Sequence, residues 1–154
     1  MARRARKQRE PDFGDAVEMA AFTAHAIGPS QAATFVVAVD GTIVSWSEEA
    51  ERLFRRPAWA AVGRPCHEVV RGLHPDGCAA CTQTCAVRLD ARLGFSPPSY
   101  DLLVPSSASS GEPMRRVRTH HVTLRDPLGY VSGLLHVVEP LERRGAISAE
   151  QAAG

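Results

Sequence analysis

The sequence predicts an α+β domain built on one antiparallel β-sheet, with short helices packed on one face of that sheet. Two β-rich runs within residues 34–47 flank Asp40-Gly41, a dipeptide typical of tight β-hairpins. Helical patterns fill residues 48–93, and strand patterns follow at residues 99–104, 112–126 and 130–140. Strands on both sides of a helical middle are typical of this fold class.

The segments outside this core have their own patterns. Residues 1–12 are predicted to form a disordered basic tail, and residues 141–154 a flexible polar tail. Residues 13–28 are predicted to form an N-terminal helix, because Asp15 can cap it and Gly28 ends it. One face of this helix is rich in alanine, which would allow a second helix to approach closely in a dimer. Packing on its own sheet is the alternative.

The helical middle consists of several short helices. Residues 48–54 form an amphipathic helix that Pro57 ends, and a second helical turn covers residues 58–63. A third helix begins near Pro65, where the proline ring suits the first helical turn. Residues 83–93 are predicted to be helical after a tight turn.

Length and charge limit the classes of function. The 154 residues favour a single domain, and a hydrophobic fraction of 44% is enough for a core. The formal net charge is +1, but residues 1–10 carry five basic groups and one acidic group. The rest of the chain therefore has a net charge of −3, so its body is not expected to bind nucleic acid directly.

The sequence lacks signals for a membrane and for catalysis. No apolar run approaches the roughly 18–20 residues that cross a bilayer, and no apolar segment follows the basic N-terminus as in a secretory signal. These features predict a cytoplasmic protein without membrane association. The nucleophile, phosphate-loop, kinase and zinc-protease motifs are also missing, which predicts that the protein is not an enzyme.

All four cysteines of the chain lie within residues 63–85. Their spacing is C-x11-C-x2-C-x3-C, and the residues are Cys66, Cys78, Cys81 and Cys85. Four thiolates are what a tetrahedral zinc ion or an iron–sulfur cluster needs. In a reducing cytoplasm clustered cysteines are more often metal ligands than disulfides. These four are therefore the predicted metal- and cofactor-binding residues; free or disulfide-forming thiols are the alternative.

An iron–sulfur cluster is favoured over zinc, and both stay open. Zinc usually takes paired C-x2-C motifs, whereas a compact C-x2-C-x3-C with one distant cysteine is more typical of cluster ligation. A redox-active group also suits a sensor better than an inert ion does. His74 could replace one cysteine as a ligand.

The other histidines are weaker candidates. His67 follows Cys66 on a helix, so its side chain is expected to point about 100° away from that thiol. His120 and His121 are adjacent on a strand, so only one of them can face the interior. These two and His136 are expected to be satisfied or exposed side chains rather than haem ligands.

Residues 30–140 resemble the PAS domain family. The resemblance rests on the stretches DGTIVSWSEEAERLF, AWAAVGRP and GLLHVVEP, in that order and spacing. It implies a PAS-like five-stranded antiparallel sheet with strand order 2-1-5-4-3 and helices over a central pocket. It also implies a module that senses small molecules, light or redox state and passes the change to a partner or output domain.

The cysteine stretch resembles that of a PAS subset found in bacterial sensors and transcription regulators, through Gly63, Cys66, Glu68 and the three later cysteines. It is also similar to the reactive-cysteine stretch of flavin-binding photoreceptor PAS domains, where Cys66 would be the reactive residue. In this chain His67 and Val70 replace the arginine and glutamine of that stretch, so flavin photochemistry is not expected.

The sequence thus predicts a sensory or regulatory module in signal transduction, with a four-cysteine metal centre that senses redox state or oxygen. We expect it to act as a homodimer or through a protein partner, since no output domain follows residue 140. Two alternatives stay open: an interaction module that zinc staples together, and a small-molecule receptor that uses the PAS pocket.

Overall fold

A computed structural model of the chain describes residues 32–106, 111 and 113–141. Five strands form one antiparallel sheet in the order β2-β1-β5-β4-β3. The strands are β1 (Ala33–Ala38), β2 (Ile43–Trp46), β3 (Tyr100–Pro105), β4 (Met114–Arg125) and β5 (Val131–Pro140). The predicted α+β class and the 2-1-5-4-3 strand order are confirmed.

The predicted hairpin joins β1 to β2. The backbone N–H of Ala38 donates to the carbonyl of Thr42 at 2.8 Å, and the N–H of Gly41 donates back to the carbonyl of Ala38 at 2.9 Å. The loop therefore has three residues rather than two. Only its last residue, Gly41, has a positive φ, +95°, which is the position where such loops favour glycine.

Four short helices connect β2 to β3. They are α1 (Glu48–Phe54), α2 (Ala58–Ala61), α3 (Cys66–Val70) and α4 (Ala86–Arg92). The side chain of Ser47 caps α1 by accepting the N–H of Ala50 at 3.1 Å. The predicted helix at residues 83–93 begins later than expected, because Cys85 has extended backbone angles at its N-cap position. The second helical turn, predicted for residues 58–63, ends earlier, at Ala61, because Val62 has an extended backbone.

The helices pack on one face of the sheet. Alternate residues of β1, among them Phe35 and Val37, join a single buried cluster with side chains of α1, α3, β3 and β4. Three aromatic rings form its centre: the centroid of Phe35 lies 5.1 Å from that of Trp46 and 6.1 Å from that of Phe54. The opposite face of the sheet carries a smaller apolar cluster around Val36 and Leu135.

Two predicted segments lie outside the described residues: the basic tail with the N-terminal helix at residues 13–28, and the polar tail after Leu141. Within the described ranges, none of the helices has the length and apolar character needed to cross a membrane.

We expect Gly133→Ala to destabilise the sheet at its centre. A Cβ at this position would lie 2.7 Å from the carbonyl oxygen of Val37 on β1, and backbone cannot move aside cheaply. Forcing the two strands apart should lower the free energy of unfolding by about 1–3 kcal/mol. Urea denaturation measures this change. Ser132→Ala, in the same strand but with a Cβ already present, is the control, and equal stability of the two variants would contradict the prediction.

Candidate functional site in the core cavity

A cavity of about 160 Å³ lies between the sheet and the cysteine stretch. Its sheet wall is formed by inward side chains of β1, β3, β4 and β5, including the buried aromatic Phe35 and the partly buried Tyr100. Its opposite wall is formed by α3, by the loop before α4 and by α4 itself. The cavity therefore lies between the sheet and the segment that carries the cysteines.

The loop at residues 72–85, named here the cysteine loop, is tied to the edge of the sheet. Leu73 and Leu103 of β3 exchange two backbone hydrogen bonds, both of 2.8 Å. The carbonyl of Gly72 accepts the N–H groups of Ala80 at 2.9 Å and Cys81 at 3.0 Å. These bonds fold the loop back over β3, which explains how Cys81 and Cys85 reach the cavity.

Three of the four predicted ligands line the cavity: Cys66, Cys81 and Cys85. Cys66 comes from α3, and it faces the same space as the two thiols of the loop. Cys78 is exposed and does not line the cavity. In the described part of the chain, no group of three or more His, Cys, Asp or Glu side chains is arranged so that it could hold a metal ion. The convergence of all four thiols stays a prediction.

Burial and the proximity of other thiols disfavour the ionised form of Cys66 and Cys81. Burial is the main cause that raises the pKa of Cys66, and the neighbouring Cys81 and Cys85 raise it further. Burial also raises the pKa of Cys81, to about 11, although a hydrogen bond with the Gly72 backbone acts in the opposite direction. Without a cation, Cys66 and Cys81 are therefore neutral thiols at neutral pH.

The side chain of Arg88, on α4, closes one side of the cavity. Its guanidinium donates to the carbonyl of Val39 in the β1–β2 hairpin at 3.2 Å and to the carbonyl of Gln83 in the cysteine loop at 2.6 Å. Both acceptors are backbone groups, so Arg88 links the hairpin, the loop and α4 without an acidic partner.

The histidines differ in where they lie. Of the adjacent pair, His121 lines the cavity, while Nε2 of His120 lies 3.5 Å from a carboxylate oxygen of Glu139. His67, whose side chain was expected to point away from the Cys66 thiol, lines the cavity together with Cys66. His74, the proposed substitute ligand, is exposed and does not line it.

The hydrogen bonds of His121 fix its tautomer. Its Nδ1 lies 3.1 Å from the carbonyl oxygen of Pro98, which can only accept, so Nδ1 carries the proton. Its Nε2 then accepts the hydroxyl of Thr119, at 3.4 Å. Both ring nitrogens of His121 are satisfied.

His136 is different, and sequence reasoning missed its importance. Its ring stacks on that of Phe35, with centroids 4.5 Å apart and an interplanar angle of 9°, and meets the edge of His121 at 4.9 Å. Its Nδ1 is buried and has no hydrogen-bond partner, the one such side-chain atom among the described residues. Burial, with a smaller effect of His121, lowers the pKa of His136 to about 3. An unpaired buried nitrogen costs about 1–3 kcal/mol.

The sequence indicated the position of His136 only through the alternation of side chains along a strand. His136 stands between Leu135 and Val137 in an apolar strand, where alternation assigns it to one face, but nothing in the sequence says that the face is the cavity side. That assignment depends on the register of β5 against β1 and β4, which pairs His136 with Phe35 and His121.

The comparisons with known proteins concern the fold. No family model matches the chain, and no curated protein matches its sequence. A light-oxygen-voltage domain studied with a flavin analogue has a TM-score of 0.61 and 20% identity, over 79% of this chain and 86% of that one. The PAS domain of a Colwellia psychrerythraea protein has a TM-score of 0.56 and 15% identity, over 82% and 99% of the two chains.

A third similar structure holds a ligand. The PAS domain of the Cronobacter turicensis RpfR quorum-sensing receptor, in complex with BDSF, has a TM-score of 0.54 and 9% identity, over 75% of this chain and 99% of that one. At these identities the similarity establishes the fold. The chain has the PAS fold that the sequence resemblance implied.

The buried neutral His136 should make the protein sensitive to acid. The unfolded chain takes up a proton near pH 6.5, whereas the folded chain does so only near pH 3, so stability falls as the pH drops through this interval. Between pH 7.5 and pH 5 we expect His136→Phe to lose about 2 kcal/mol less unfolding free energy than the wild type.

Urea denaturation at the two pH values measures the difference. The pKa of His121 is also lowered, mainly by burial, so part of the acid sensitivity should persist in the variant. His120→Phe, on the other face of β4, is the control and should behave as the wild type. Equal losses in the wild type and in His136→Phe would contradict the prediction.

Proposed function

We propose that the chain is a sensory or regulatory module of the PAS type, and that its core cavity receives the signal. The observation that carries this proposal is that the sheet and the cysteine loop enclose one cavity, lined by three of the chain's four thiols. The PAS fold supports the sensory class, since the solved structures that it resembles include a receptor domain with bound ligand. Because the cavity contacts both the cysteine loop and the sheet, a ligand bound in it can shift either element.

Within this class we propose a metal centre at the cysteine loop, an iron–sulfur cluster in preference to zinc. Cys66, Cys81 and Cys85 would be its inner ligands, because they already line one cavity. Cys78 would be the fourth ligand and would have to turn inward from its exposed position; His74, three residues before Gly77, is the alternative. In the described structure these three thiols share one cavity but are not arranged to hold a metal, so binding would also have to draw them together.

The chemistry of the donors supports a soft or borderline metal. Thiolates bind zinc and iron–sulfur clusters strongly, and a cation would offset the burial and the mutual repulsion that keep Cys66 and Cys81 protonated. When bound, a cluster would supply a reversible change of charge. The flavin of the light-oxygen-voltage domains is not proposed here, because His67 and Val70 replace two residues of the matching stretch.

Metal analysis of protein purified without oxygen tests this proposal. We expect one centre per chain, with broad absorption near ~400 nm for a cluster and no colour for zinc. Single Cys→Ser changes at Cys66, Cys81 and Cys85 should each abolish the metal, because a hydroxyl is a poor ligand of nearly the same volume. Cys78→Ser decides whether the exposed thiol is the fourth ligand.

Thr82→Ser, in the same loop, is the matched control and should keep the full metal content, because its hydroxyl bond to the carbonyl of Thr84 is conserved. Metal-free wild-type protein, or full metal content in Cys66→Ser, would contradict the four-cysteine centre. A colourless zinc protein would favour the stapled interaction module over the redox sensor.

A second candidate is a small-molecule receptor. It is favoured by the volume of the cavity, about 160 Å³, and by its mainly apolar walls. The RpfR receptor domain with bound BDSF has the same fold. Metal-free protein that still responds to a cavity ligand would support this candidate.

We propose that the protein acts as a homodimer or through a protein partner in the cytoplasm, and that it is not an enzyme. The segment at residues 13–28 is proposed to support the dimer, because its sequence predicts an alanine-rich helix face. Removing residues 1–28 should convert the dimer to a monomer in sedimentation velocity, while a variant lacking only residues 1–10 should remain dimeric. An unchanged oligomeric state after the longer deletion would contradict this role.

A further inference from the structure

The short helix α2 carries an exposed tryptophan. In the single chain Trp59 is 86% exposed, and Val62, three residues later in the same helical turn, is exposed as well, whereas Ala61 is fully buried. The helix therefore has a buried side and an outward side. Two arginines flank it in the chain. The four residues named here the α2 surface are Arg56, Trp59, Val62 and Arg64. Tryptophan and arginine are the residue types that most often dominate protein–protein contacts.

Backbone hydrogen bonds fix this surface on both sides of α2. Nε1 of the buried Trp46 donates to the carbonyl of Arg56 at 3.0 Å. After the helix, the N–H of Ile43 donates to the carbonyl of Arg64 at 2.9 Å, and the N–H of Gly63 donates to the carbonyl of Ile43 at 2.8 Å. These bonds do not use the arginine side chains. A partner therefore meets a surface whose backbone is already ordered, which lowers the entropic cost of binding.

The charge of the α2 surface is positive. Burial is the main cause that lowers the pKa of Arg56, and the nearby Arg64 and Arg71 lower it further. Among the described residues Arg56 forms no ion pair, and the bridge from Arg64 to Glu68, 3.4 Å long, is an exposed pair that contributes little. Carboxylates placed here would relieve the repulsion between the guanidinium groups. The surface therefore favours a segment that brings acidic groups together with an apolar side chain.

The chain itself has a segment of this chemistry, outside the described residues. Residues 10–18 read EPDFGDAVE, with four acidic residues, no basic residue, and Phe13 between the acids. Carboxylates form bidentate pairs with guanidinium groups, and aromatic rings pack favourably against tryptophan. The segment overlaps residues 13–28, which are proposed above to support the dimer. The complementary charges therefore occur at two places of the same chain.

We propose that residues 10–18 of a second copy of the chain bind the α2 surface, with carboxylates on Arg56 and Arg64 and with Phe13 against Trp59. A chain that has both the surface and the complementary segment can form two equal contacts about a twofold axis, as a closed dimer requires. The contact rests on the homodimer proposed above and names the surface that receives the N-terminal segment. Trp59 is open in the single chain, and dimer formation covers it.

Charge reversal on each side in turn tests this contact. The surface variant carries Arg56→Glu and Arg64→Glu, which leave the backbone hydrogen bonds of α2 in place. The segment variant carries Glu10→Lys, Asp12→Lys and Glu18→Lys. In sedimentation velocity at low salt, each variant alone should dimerise at least about a hundredfold more weakly than the wild type, because like charges then face each other.

An equimolar mixture of the two variants should dimerise as the wild type does. In the mixed dimer the acidic surface of one copy meets the basic segment of the other, and the second contact is the wild-type one. This recovery also shows that both variants are folded. A mixture that stays as weak as its components overturns the proposal, because a segment bound to its own chain gives that result.

A control variant separates the contact from a general effect of net charge. Arg92→Glu with Arg115→Glu makes the same change of charge as the surface variant, at two exposed arginines on other elements. It should dimerise as the wild type does. Equal weakening in the control and in the surface variant overturns the proposal, and so does wild-type dimerisation of either reversed variant.

The fluorescence of Trp59 reports the contact directly. Quenching by acrylamide should decrease as the protein concentration rises through the dimer dissociation constant. This decrease should be absent in Trp59→Phe, whose remaining Trp46 is buried. Quenching that does not change with concentration, in a wild type that sediments as a dimer, overturns this contact and leaves the homodimer in place. A wild type that is monomeric at every concentration removes the homodimer and this contact with it.

Discussion

The pairing of the first strand with the last is the constraint on which the structure depends. Six residues of β1 lie opposite residues of β5, at the centre of the sheet. The chain between Ala38 and Val131 therefore begins and ends at the same pair of strands. The close approach of Gly133 to the backbone of Val37 shows how little space this pairing leaves. The helices between β2 and β3 cover one face of the sheet, and the cavity forms under them.

The segment between β1 and β5 is fixed to the sheet at few points, and these points lie on both sides of the cysteine loop. The Leu73–Leu103 pair fixes the start of the cysteine loop to the edge strand, and Arg88 fixes its end to the hairpin. Between them the loop lacks regular helix or strand and depends on single bonds such as Cys81 to Gly72. Such a segment opens at lower free-energy cost than the strands do. A change in the thiols would therefore move the loop before it disturbs the sheet.

The sequence predicted the sheet better than the site because local signals determine strands and turns. Asp40-Gly41 marks the hairpin through backbone preference alone, and Pro65 marks the start of α3 through its ring. The helix ends were misplaced by up to three residues, as with α4, because the extended conformation of Cys85 is imposed by the loop and not by its own propensity. Cys78 and His136 were harder still. Whether a thiol of the loop faces inward, or a strand histidine loses its partner, depends on the register of segments far apart in sequence.

The two walls of the cavity place different chemistries opposite each other. The wall opposite the sheet offers soft sulfur donors, of which Cys66 and Cys81 are kept neutral by burial and by neighbouring thiols. The sheet wall offers a neutral imidazole stacked on Phe35. A neutral ligand bound at the sheet wall would exclude water from the thiols, and lower polarity disfavours thiolate formation further. A metal at the thiols would draw the loop together and reduce the space above His136. Because both walls border one cavity of about 160 Å³, a ligand at one wall would change the affinity of the other wall for its own ligand, and by linkage the effect would be reciprocal.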